Sequence, residues 1–111
     1  MRKARILYQS VFAGILSEEE SGYRFVYDDA YLRQHHSQPV SLTLPTSQKE
    51  YVSNMLFPFF DGLIPEGWLL DISVRNWKLN PRDRMGLLLA CCRDCIGAVS
   101  VEAINEEEEQ A

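Results

Sequence analysis

Cys91, Cys92 and Cys95 crowd together near the C-terminal end of the chain, and Cys92-Arg93-Asp94-Cys95 has the spacing that lets two thiolates share a metal ion or close a redox disulfide. One such pair is a weak signal. A structural zinc site needs four ligands, and the other candidates, His35 and His36, stand side by side without regular spacing. A thioredoxin-like motif follows a strand and opens a helix, whereas this one follows a helical pattern. The cysteines therefore read as small buried hydrophobes, and neither a metal nor a cofactor is expected. His35 and His36 titrate near neutral pH, but on a polar loop with no orienting carboxylate they read as solvent-exposed. Asp61 and Glu66 fit the capping of backbone amides better than paired-carboxylate catalysis. The chain has no phosphate-binding G-x-x-x-x-G-K-[ST] loop, no G-x-S-x-G elbow and no H-E-x-x-H pair. It is not expected to be an enzyme.

A different segment carries more information. Phe57-Pro58-Phe59-Phe60-Asp61-Gly62-Leu63-Ile64-Pro65-Glu66-Gly67-Trp68 is rich in aromatic and branched apolar residues, yet its prolines and glycines prevent a continuous helix or strand. Loops normally run polar over the surface, so this one is either tucked into the core or meets a partner. From Glu66 to Lys78 the pattern is helical. At about 100° per residue, Trp68 and Trp77 project from nearly opposite sides of such a helix. Trp77 shares a side with Leu70 and Val74, and Trp68 with Leu69 and Ile72. Such a helix is either sandwiched within the domain or buries one side against another protein, and the Trp68 end, beside Gly67, is the one expected outside.

Around this segment the chain alternates and turns. Arg5 to Phe12 and Tyr23 to Tyr27, with Gly14-Ile15-Leu16 between them and a polar turn from Ser17 to Gly22, read as an antiparallel meander. Asp28 or Asp29 can cap a short helix over Ala30 to Gln34. Pro39 to Pro45 alternates Val40, Leu42 and Leu44 against Ser41 and Thr43, the pattern of an edge strand bounded by prolines. Asn80-Pro81-Arg82-Asp83 restarts a helix, with Asn80 as the cap and Pro81 at the first position. Met85, Leu88, Leu89 and Cys92 give that helix an apolar face, and it is expected to end near Arg93. Ile96 to Ile104 forms a closing strand with Val99, Val101 and Ala103 inward.

At 111 residues, 46% hydrophobic and 24% charged, the chain has the composition of one folded domain, expected over residues 1–104. The run Glu106 to Glu109 carries most of the net charge of −5, so residues 105–111 read as a disordered acidic tail. Nothing builds the basic surface that nucleic acid requires. No stretch approaches the roughly 20 apolar residues of a membrane span, and the basic start lacks a signal-peptide core. A cytoplasmic protein is expected, in keeping with an odd number of cysteines.

Several stretches together resemble a known family, the N-terminal subdomain of HipA-type toxin kinases. They are Ala4 to Tyr8, Phe25-Val26-Tyr27-Asp28 before Tyr31-Leu32, Pro39 to Pro45, Phe59 to Gly67, and Arg93 to Val99. Each is weak alone, but their order and spacing are specific. Because HipA-type kinases continue into a catalytic region where this chain ends in its Glu-rich tail, no kinase residue can be carried over. The chain is instead similar to HipS, the small antitoxins of three-component HipBST toxin–antitoxin systems. The resemblance implies an antitoxin that binds and inhibits a HipT-like Ser/Thr kinase, with a HipB-like DNA-binding protein in the larger complex and no small-molecule substrate. The docking segment would be Asp61, Gly62, Ile64, Pro65, Glu66, Gly67 and Trp68, placed at the kinase active-site cleft. Within the apolar stretch Phe59, Phe60, Leu63 and Ile64 suit the domain's own core, which leaves Gly67 and Trp68 turned outward. The alternative is a non-inhibitory assembly module that links the kinase to the DNA-binding protein; a small redox or zinc protein is the third class. The fold is expected to be α+β: a small, largely antiparallel, partly barrel-like sheet with two helices of the C-terminal half packed on it.

Overall fold

Gln9 and Ser10 both adopt positive φ, at 49° and 68°, and this pair reverses the chain between the first two strands. Positive φ at both central residues suits the right-handed twist of a two-residue hairpin. The expected strand from Arg5 to Phe12 is therefore split into β1 (Lys3–Tyr8) and β2 (Val11–Glu19). The second turn is shorter than expected: Ser17 to Glu19 stay in β2, and β3 (Gly22–Tyr27) begins at Gly22, whose φ of 152° suits glycine. The computed structural model describes residues 2–35, 38–64, 83–91 and 98–104. Within them lie two more strands, β4 (Glu50–Ser53) and β5 (Val99–Ile104), and the helices α1 (Asp29–Gln34), α2 (Pro58–Asp61) and α3 (Arg84–Cys91). The strands form one antiparallel sheet in the order β4-β3-β2-β1-β5, so the fold is α+β. Among the described residues no ladder joins β4 to β5, which leaves the sheet open rather than closed into a barrel.

Register explains which face is buried. Phe25 lies opposite Leu16 and Leu16 opposite Ala4, while Tyr27, Gly14, Ile6 and Val101 form a second cross-strand row. All of these lie on one face, as the two-residue period of a strand requires. A bulge between Ile6 and Leu7 leaves Ala13 without a register partner, and its carbonyl accepts from the Asp28 amide at 2.7 Å. Onto this face pack Tyr31 of α1, Phe60 of α2, and Met85, Leu87 and Leu88 of α3. Asp28 caps α1 as expected, its carboxylate accepting from the Tyr31 amide at 3.2 Å. In β5, Val99 and Val101 are buried, but Ala103 is exposed although it lies opposite Ala4. The expected helix from Glu66 to Lys78, the caps at Asn80 and Pro81, the end of the last helix at Arg93, and the acidic tail lie outside the described residues.

The expected edge strand over Pro39 to Pro45 is not one. Tyrosine hydroxyls hold this segment: Tyr31 donates to the Gln38 carbonyl, Tyr27 to the Leu44 carbonyl and Tyr51 to the Pro45 carbonyl, while the Val40 amide donates to Tyr27 Oη at 3.0 Å. Val40 and Leu44 are buried as the feet of this loop, and Leu42, the middle of the supposed inward row, is 93% exposed. The alternation reflects two anchors and a tip. The edge of the sheet is β4, four residues of polar character in which Val52 is 65% exposed.

Tyr27 is itself buried, and the loss of water pushes its hydroxyl up to about 12, with the Val40 amide acting in the opposite direction. Tyr27→Phe would leave the Leu44 carbonyl and the Val40 amide without that partner. It is expected to cost about 2–3 kcal/mol, read as a lower urea midpoint with unchanged slope. Because the folded-state value is raised, this contribution is full below pH about 10 and is lost as the pH rises toward 12. An unchanged midpoint in Tyr27→Phe would mean that the hydroxyl does not hold the loop.

Candidate functional site

The apolar stretch of the sequence divides in the structure. Pro58 occupies the first position of α2, where its missing N–H costs nothing, so the breaker starts a single helical turn. Asp61 ends that turn. The Asp61 amide donates to the Phe57 carbonyl at 2.9 Å, Gly62 to Pro58 at 2.9 Å, Leu63 to Phe60 at 3.1 Å and Ile64 to Asp61 at 3.2 Å, which carries the chain through two overlapping turns. Phe57, Phe60 and Ile64 are buried, whereas Phe59 and Leu63 are only partly covered. The core assignment therefore holds fully for Phe60 and Ile64 and partly for the other two.

Of the seven docking residues, Asp61, Gly62 and Ile64 are described. Gly62 is exposed, and the Asp61 carboxylate stands at the surface. Ile64 is 3% exposed, so its side chain belongs to the core. Pro65, Glu66, Gly67 and Trp68 lie outside the described residues, as do His36, Trp77, Cys92 and Cys95. Cys91 is the last residue of α3, and His35 closes α1 with its ring 5.1 Å from that of Tyr31. Among the described residues no group of three His, Cys, Asp or Glu side chains is disposed to hold a metal ion. No helix among them is long and apolar enough to cross a membrane.

Two arginines organise the surface beside this segment. Arg84, the first residue of α3, donates from Nε to Asp61 Oδ1 at 2.6 Å. Arg2 forks between two carboxylates, meeting Glu18 at 2.9 and 2.7 Å and Asp83 at 2.7 and 2.9 Å. Asp83 also accepts from the Gly86 amide at 3.1 Å, so it caps α3 from the position just before Arg84. The helix thus begins at Arg84, three residues beyond Pro81, where the sequence placed its first residue. Neither arginine was legible as a site residue. Arg84 has no local pattern that points to Asp61, and Arg2 reads merely as part of a basic N-terminus.

Hydrogen bonds from Arg2 hold both the Glu18 and the Asp83 carboxyls below the usual carboxylate range. Groups with depressed folded-state values stabilise the fold above their ordinary values of 4.5 and 3.8, and that stability is lost as the pH falls through the folded-state values. All three side chains are partly exposed, which screens the effect. Arg2→Met is therefore expected to cost about 1–2 kcal/mol at neutral pH. Its deficit should shrink toward zero in strong acid, checked by urea unfolding at a series of pH values. A deficit independent of pH would assign the loss to packing.

Comparison with known proteins adds three findings. The HipA N-terminal domain family matches residues 4–102. An uncharacterized protein of Haemophilus influenzae is 31% identical over 102 residues, covering 92% of each chain. A solved structure, the N-terminal domain of HipA toxin, aligns with a TM-score of 0.73 at 26% identity, over 96% of this chain and 95% of that one.

Proposed function

This chain belongs to the HipA N-terminal domain family, and from that premise we propose that it is an antitoxin that binds a HipT-like Ser/Thr kinase and inhibits it, with no catalysis of its own. The observation that carries this reading is the match to the Haemophilus influenzae protein, which spans 92% of that protein's own length. A family member scarcely larger than the domain supports action in trans, on a kinase made as a separate chain. The docking element is the segment from Asp61 to Trp68, set at the kinase active-site cleft. In its favour, Phe60 and Ile64 root the segment in the core while Gly62 stands exposed beside them. A HipB-like DNA-binding protein completes the complex, which acts in the cytoplasm.

Purified HipT-like kinase, assayed for phosphoryl transfer with and without this chain, tests the proposal. Inhibition is expected to be saturable and to reach at least about tenfold, as a clash between docked segment and substrate would give. Unchanged turnover in an intact complex would favour the assembly module instead.

A further inference from the structure

Arg84 stands at the wrong end of its own helix: it is the first residue of α3, where the free amides repel a cation. Helix stabilisation does not explain that placement. Its contact with Asp61, in the single turn of α2, does: Arg84 Nε donates to Asp61 Oδ1 at 2.6 Å, and the pair bridges α2 to α3. The adjacent Asp83 does not compete for Arg84 in this arrangement, because its carboxylate is taken up by Arg2 and the Gly86 amide. Arg2 in turn holds Glu18 of β2. An alternating series of charges, Glu18, Arg2, Asp83, Arg84 and Asp61, thus runs from the sheet to the residue beside the exposed Gly62.

We infer that Asp61 is a positioning residue rather than a contact to the partner, and that Arg84 is its counterpart: their ion pair fixes Gly62, Leu63 and Ile64 before the partner arrives. The inference rests on the antitoxin reading for its consequence in binding, but its local content does not depend on a kinase. Holding a segment in its bound conformation removes part of the ordering cost of association. Loss of the pair should therefore weaken binding without removing a contact.

The test uses the full chain with Asp61→Asn, Arg84→Gln, and the double variant Asp61→Arg with Arg84→Asp. The double variant restores the pair and also places a carboxylate at the start of α3, the end that favours it, so it is expected to fold about as stably as the parent. Two quantities are measured: amide hydrogen exchange at Gly62, Leu63 and Ile64, and affinity for a purified HipT-like kinase. Each single variant is expected to speed exchange at these amides and weaken binding about tenfold, and the double variant to recover most of both. A double variant that recovers exchange but binds no better than Asp61→Asn would show that Asp61 touches the kinase itself. Unchanged exchange in the single variants would overturn the tether outright. If the exchange pattern is as expected but the parent chain does not bind the kinase, the tether stands and the antitoxin reading fails.

Discussion

Phe60→Ala is expected to lower stability by about 3–5 kcal/mol, the range for deleting a fully buried phenylalanine ring. Phe60 is completely buried, and its ring lies 5.5 Å from Phe25, 6.1 Å from Phe57 and 5.3 Å from Phe59, so it joins α2 to the buried face of the sheet. A domain of this size has a total stability of about 5–15 kcal/mol, and the substitution removes a large share of it. The melting temperature should fall by roughly 15 °C, and the urea midpoint should drop with little change in slope. Phe59→Ala is the internal comparison. Its ring is only partly covered, and it should cost about 1 kcal/mol. If the two variants unfolded alike, Phe60 would not be the link between α2 and the sheet.

That contrast between neighbouring phenylalanines marks how far the sequence could be read. Strands with one buried face were legible, because Ala4 and Ile6, Phe25 and Tyr27, and Val99 and Val101 alternate with outward residues. The Asp28 cap was legible because capping chemistry is local. The edge of the sheet was not. In β4 one row of main-chain groups and one face are open to solvent, so nothing forces an apolar pattern on Glu50 to Ser53. The loop from Gln38 to Pro45 misled for the converse reason. Its carbonyls are satisfied by tyrosines from α1, β3 and β4, contacts between distant parts of the chain that no short-range pattern encodes.

The apolar segment proposed as the site was conspicuous in composition, but what holds it in place was not. Its unusual apolar content marked the segment, and the structure roots it through Phe57, Phe60 and Ile64. What fixes the surface side of the same segment is the bond between Asp61 and Arg84, which stand 23 positions apart in the sequence. Spacing arguments work for residues that share a helix or a strand. This pair shares neither, and only the packing of α2 against α3 brings it together.

Trp68→Ala is expected to weaken binding to the HipT-like kinase by at least about 30-fold, because truncating a central tryptophan anchor commonly costs about 2 kcal/mol or more. Trp68 follows Ile64, the last described residue of the segment and one seated in the core, by four positions. The variant should retain the melting temperature of the parent, unlike Phe60→Ala, and should fail to rescue growth when co-expressed with the kinase. Trp68→Phe, which keeps an aromatic ring of smaller area, should fall between the two in affinity. Rescue and complex formation equal to the parent in Trp68→Ala would eliminate the anchor. Loss of rescue with a lowered melting temperature would move Trp68 into the fold, and the docking surface would then have to be sought on Gly62 and on other exposed residues of the domain.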